Sequence, residues 1–123
     1  MVDVVTLAIG RLAKLGFWAC LAVVVVGSLL PGPQAPGPVM LSDKVIHLMG
    51  YGALALCAGL GWPHRMASSG LGLVALGIVL EIAQGTLIPG RALEVMDAAA
   101  NATGVALGLG LALLFIALSA PSR

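Results

Sequence analysis

Apolar positions along this chain gather into four long runs, broken by proline, glycine or charge instead of alternating with polar residues at the two-residue period of a strand. No charge appears from Leu15 to Ser42, and the portion from about residue 12 to Leu30 is long enough to cross a bilayer as a helix. Pro31, Pro33, Pro36 and Pro38, interleaved with Gly32 and Gly37, then predict a semi-extended loop as far as Ser42. A second helix is expected over 43–62, with Ser42 as its N-cap, Asp43 near the positive end of the helix dipole, and Pro63 closing it. His64 and Arg65 fall in a short polar turn before a third run at 68–88, which stops at Pro89-Gly90. Arg91 to Met96 reads as a loop, and a fourth run at 97–118 carries no charge after Asp97. The expectation is an all-α membrane protein, a four-transmembrane-helix bundle forming a single domain over 1–123.

Composition supports that class. With 60% hydrophobic and 9% charged residues and a mean hydropathy of +1.11, the chain cannot build the charged surface of a soluble globular domain. Seventeen glycines and 4% aromatics fit helices that approach through small side chains. A net charge of +1 without a basic run argues against a nucleic-acid partner. Cys20 and Cys57 both fall in apolar runs and read as small packing residues. Arg11 and Lys14 ahead of the first apolar run also fit a signal peptide, but Gly27-Ser28-Leu29-Leu30-Pro31 makes a poor cleavage site. Four crossings return the chain to its starting side. Arg11, Lys14, Arg65 and Arg123 then lie on the side of the termini, against Lys44 and Arg91 on the other, so the positive-inside bias predicts cytoplasmic termini and an outward-facing polar end.

The candidate chemistry lies at that outward end. An ionisable side chain within a membrane span costs on the order of 2.5–3.5 kcal/mol on insertion scales, so such residues need a partner, a polar cavity or an interfacial position. Asp43, His47 and Tyr51 follow one another at four-residue intervals and line one stripe of the second helix, with Lys44 beside them. Glu81 and Gln84 share a face of the third helix, while Asp97, Asn101, Gly104 and Gly108 form a stripe on the fourth. Blander roles compete: a helix cap for Asp43, packing for His47 with Tyr51, headgroup anchoring for Lys44 and Arg91, helix packing for Gly104 and Gly108. For Glu81 a structural ion pair with Arg91 or Lys44 competes evenly with a catalytic role.

Three stretches read in order carry a resemblance. Asp43-Lys44-Val45-Ile46-His47-Leu48-Met49-Gly50-Tyr51, then Glu81-Ile82-Ala83-Gln84 running to Pro89-Gly90-Arg91, then Asp97 with Asn101 and Gly104, together resemble the VanZ-like family of small membrane proteins over about residues 40 to 110. That family is recognised by a D-K-x-x-H-x-x-x-Y stretch, an E-x-x-Q stretch followed by proline and arginine, and a D-x-x-x-N-x-x-G helix start. Its founding member is linked to teicoplanin resistance, so the resemblance implies a multi-pass protein of the bacterial inner membrane that influences glycopeptide susceptibility. The segment Ala92-Leu93-Glu94 is blander than the serine-, threonine- or aromatic-bearing loop of many relatives, which weighs against recognition through that loop.

The leading functional expectation is an outward-facing site for a lipid headgroup or cell-wall precursor, lined by Asp43, Lys44, His47, Tyr51, Glu81, Gln84, Arg91, Asp97 and Asn101. Lys44 and Arg91 would hold an anion, and Glu81, Asp97 and Asn101 would orient sugar or amide groups. An accessory subunit docking onto a larger membrane complex through its Gly104–Ala112 face is the main alternative. A membrane-embedded hydrolase or transferase acting on lipid-linked phosphate is the second, with His47, Glu81 and Asp97 as catalytic candidates, although no nucleophile or phosphate-cradling loop is recognisable. No cofactor and no metal is expected, since a single histidine between Glu81 and Asp97 is thin for zinc.

Overall fold

In a computed structural model, which describes residues 3–31 and 39–122, the chain is all-helical. Four long helices, α1 (Val4–Leu29), α2 (Val39–Gly61), α3 (Met66–Leu87) and α4 (Val95–Ser119), are each long and apolar enough to cross a membrane. A 3₁₀ turn at Pro63–Arg65 joins α2 to α3. Most of the proline-rich stretch falls in 32–38 and, like Arg123, lies outside the described residues.

The helices start earlier than expected, by eight residues in α1, four in α2 and two in each of α3 and α4. Helix α1 begins at Val4, eight residues before the predicted start near 12, and takes in Arg11 and Lys14. Asp3 caps it by accepting a hydrogen bond from the Val5 N–H, and Val4 to Ile9 contains no breaker, so the charges at 11 and 14 mark an exposed face of the helix rather than its boundary. Helix α2 begins at Val39, which puts Ser42 inside the helix instead of at its cap and Asp43 beyond the first turn. Val39-Met40-Leu41 continues the apolar run backwards and extends the helix by one turn.

The core is a seam between α2 and α4. Tyr51, Leu54, Ala55 and Ala58 of α2 pack with Val105 of α4 and Leu73 of α3, and Phe17, Cys20 and Val24 of α1 cover them from the other side. Cys20 and Cys57 are free thiols. Glycine sets the closeness of the seam. A Cβ on Gly104 would collide with the Leu48 carbonyl oxygen, and one on Gly108 with the Gly52 carbonyl oxygen, so the two backbones rest directly on each other. Ala112 continues the same line, fully buried against Gly59. The Gly104–Ala112 face is therefore occupied within the chain and is not presented outward for docking.

The two ends of the bundle differ in chemistry. Where α2 ends, Phe17 meets Trp62 edge-on at 5.4 Å between ring centroids, and the Lys14 ammonium lies 5.5 Å over the Trp62 ring. The acidic and amide groups gather where α2 starts and α4 starts.

The seam makes a sharp prediction. Gly108→Ala should lower the melting midpoint in detergent by roughly 5–10 °C, as expected for overpacking of about 1–3 kcal/mol. Gly110→Ala, whose Cβ meets nothing within 4 Å, should leave the midpoint unchanged or slightly raised.

Candidate functional site

The polar residues do not converge on one point. They form a set of ties between helices and, beside it, an open cleft, with His47 and Gln84 belonging to both.

The ties begin at Lys44. Its ammonium lies 2.8 Å from Glu94 Oε2 and 2.9 Å from Asp97 Oδ1, bridging the start of α2 to the start of α4. Asp97 falls in the first turn of α4, where the helix dipole also favours a negative charge. One turn deeper, His47 Nδ1 meets Asn101 Oδ1 at 2.9 Å. Gln84 on α3 donates to the Ser28 carbonyl at 3.0 Å, satisfying an acceptor in the last turn of α1 that has no partner within its own helix. All four helices are thus tied by polar contacts at one end.

Glu81 departs from expectation. Among the described residues it forms no ion pair with Arg91 or Lys44. Its Oε1 accepts the Glu94 backbone N–H at 2.9 Å, fastening the α3–α4 loop onto α3. The loop can lie this close because Gly85 has no side chain: a Cβ there would come within 2.7 Å of Leu93 Cβ and 2.9 Å of Leu93 N. Lys44, expected either as an interfacial anchor or as an anion holder, is committed to two carboxylates.

Glu94 is one of the charges that sequence places beside the apolar runs but to which it assigns no role in the site, although it supplies both a carboxylate to Lys44 and an N–H to Glu81. Its only signal was its position three residues before Asp97, which places a second acid on the turn that faces Lys44. Ser28 was missed as well, because it takes part through a backbone carbonyl.

The cleft, of about 330 Å³, lies between the end of α1, the start of α2 and the α3–α4 loop. Ser28, Asp43, His47, Tyr51, Gln84 and Arg91 give it polar character, and Val23, Val24 and Ile46 form an apolar wall. The stripe Asp43-His47-Tyr51 accordingly faces this cleft, while Lys44 on the adjoining face turns to α4. Arg91 reaches the cleft through a tight turn. Gly90 has φ 79° and the Arg91 N–H bonds the Ile88 carbonyl at 3.2 Å, the pattern of a type II turn with proline at its second position and glycine at its third. Among the described residues Arg91 enters no ion pair. The Tyr51 hydroxyl and Glu81 Oε2 are buried and have no hydrogen-bond partner among the described residues.

The nine residues expected at the site are therefore employed differently. Lys44, Glu81, Asp97 and Asn101 are engaged with protein partners, Asp43, Tyr51 and Arg91 line open space, and His47 and Gln84 do both. A cation could be approached by Asp43, His47 and Asp97, whose ligand atoms lie within 4.8 Å of one another; Glu81 is not among them, and Lys44 already neutralises Asp97. The chain matches no family model, no curated protein and no solved structure.

Removing Lys44 leaves Asp97, whose side chain is only 8% exposed, as an uncompensated charge. Lys44→Ala should cost about 3 kcal/mol of unfolding free energy in detergent. The paired change Lys44→Met with Asp97→Leu should recover most of that loss, and additive losses would show that the pair does not act as a unit.

Proposed function

We propose that this chain is a VanZ-like multi-pass protein of the bacterial inner membrane whose cleft binds an anionic headgroup on the outer face. One observation carries the reading: Arg91, held by its turn in a cleft and without a carboxylate partner among the described residues, offers a planar, permanently charged fork with the geometry for phosphate or carboxylate. Lys44, bound to two acids, leaves this task to Arg91. Support for the family rests on the order and spacing of the three motifs, and on their residues meeting at one end of the bundle.

Orientation follows from charge and crossing number. Four spans return the chain to its starting side, and Lys14 beside Trp62 and the Pro63–Arg65 turn marks the basic end. The cleft then faces away from the cytoplasm, where a glycopeptide antibiotic meets its target, and occupancy of the cleft by an envelope lipid or precursor is the route by which the protein would alter susceptibility. The competing view, a subunit of a larger complex, draws nothing from the stripe Gly104, Gly108 and Ala112, which is spent against α2, and would have to use the exposed Ala106 and Gly110 instead.

Two measurements test this. Titrating a soluble phosphate-bearing headgroup against purified protein should show binding that Arg91→Ala weakens about tenfold or more, the worth of a charge-assisted hydrogen bond; equal binding by both proteins would refute the site. Reporter fusions at the Arg91 loop should read as external and those at His64–Arg65 as cytoplasmic, and the reverse pattern would remove the antibiotic-facing model.

A further inference from the structure

The cleft holds an arrangement that its own residues leave incomplete. Asn101 Oδ1 can only accept a hydrogen bond, so the ring nitrogen facing it, His47 Nδ1, donates. In the neutral imidazole the other ring nitrogen, Nε2, is a lone-pair acceptor 3.7 Å from Asp43 Oδ2, also an acceptor, whereas in the imidazolium it carries a proton and the two form an ion pair. That separation is too long for a direct hydrogen bond. Both groups line the cleft, and among the described residues no hydrogen bond is donated to either acceptor. One turn deeper on the same stripe, the hydroxyl of Tyr51, a residue 2% exposed, is likewise without a partner among the described residues.

Arg91 supplies the opposite pole. It lines the same cleft as Asp43, yet the two form no ion pair. A cleft that keeps a negative and a positive group apart complements a ligand with the reverse pair. The volume, about 330 Å³, is at the low end of ligand sites, which run roughly 300–1,000 Å³. It suits a small headgroup better than a sugar-peptide precursor. The walls show how such a ligand arrives. Val23 and Ile46 line the cleft and are 72% and 65% exposed on the helix surface, so the cleft has an apolar, open flank on α1 and α2 that acyl chains would meet in a bilayer.

We propose that the cleft takes, laterally from the bilayer, the headgroup of a zwitterionic phospholipid bearing a primary amine, as in phosphoethanolamine. Its ammonium donates to Asp43 and His47 Nε2, its phosphate accepts from Arg91, and its chains lie along Val23 and Ile46. A quaternary ammonium has no N–H for the two acceptors, which separates this ligand from a choline lipid. The inference rests on the headgroup-binding reading above and sharpens it.

The test uses the full chain reconstituted in nanodiscs, with native mass spectrometry of retained lipid. Phosphatidylethanolamine, phosphatidylcholine and phosphatidylglycerol with identical acyl chains are the probes, and water-soluble phosphoethanolamine is a fourth. Phosphatidylethanolamine should be retained about tenfold over phosphatidylcholine, the scale expected of charge-assisted hydrogen bonds. Asp43→Asn, at a position whose side chain is 47% exposed and therefore tolerant of change, should abolish that preference while leaving the protein folded. Arg91→Gln should weaken retention of all three lipids.

Equal retention of the three lipids, with loss of all in Arg91→Gln, would overturn the zwitterion assignment and leave the anion site standing. Retention insensitive to Arg91 would overturn both. Soluble phosphoethanolamine binding as tightly as the lipid would overturn lateral access. Binding of Zn²⁺ or Mn²⁺ that requires Asp43 and His47, without any lipid preference, would overturn the assignment in favour of a cation site.

Discussion

The direct contact of two helix backbones at Gly104 and Gly108 sets the distances on which the rest of this molecule depends. Lipid gives apolar helices no hydrophobic reason to associate, so close packing and internal hydrogen bonds must hold them. Two glycines let α4 rest on the Leu48 and Gly52 carbonyls of α2. Counting back along α4 in steps of three or four residues from Gly104 reaches Asn101 and then Asp97, which meet His47 and Lys44 across the same seam. Hydrogen bonds weaken over a few tenths of an ångström, so a methyl group in the seam would part both pairs at once. The apolar contact and the polar ties are one construction.

The polar groups follow the economy of a low-dielectric solvent. Asp97 and Asn101 are buried and matched by Lys44 and His47 from the facing helix. Glu81, equally buried, is matched on one oxygen by a main-chain N–H at the very start of α4, where helices leave such donors unpaired. Gln84 does the converse for the end of α1. Side chains in mid-helix thus complete the open ends of neighbouring helices, which explains why amide and acid groups sit in otherwise apolar runs.

Four helices and their turns are legible in the hydrophobic runs, and the stripes Asp43-His47-Tyr51 and Asp97-Asn101-Gly104 are legible in helical spacing. Helix starts are less so. Charge at Arg11 and Lys14 and a cap-like Ser42 look like boundaries, yet apolar residues before them extend both helices. Partner choice is least legible. Glu81 finds the Glu94 N–H instead of a cation because a backbone donor leaves no mark in sequence, and loop fold-back depends on Gly85, whose role is visible only once Leu93 lies against it. The same reason hides Glu94 within a loop that otherwise reads as bland.

The two poles of the cleft stand on different elements, and this gives the outermost ion pair a purpose beyond stability. Asp43 and His47 ride on α2, whereas Arg91 rides on the α3–α4 loop. Left alone, a loop ended by glycine and proline at one side would let that arginine wander. Lys44, next to Asp43, fastens the loop's far end through Glu94, and Glu81 grips the same residue from α3. Arg91 is therefore held between a type II turn on one side and a doubly anchored residue three positions on. The Lys44–Glu94 contact is part-exposed and so contributes little as a bond. Its value lies in fixing where the positive pole stands relative to the two acceptors on α2, so residues that never face the cleft determine its charge pattern.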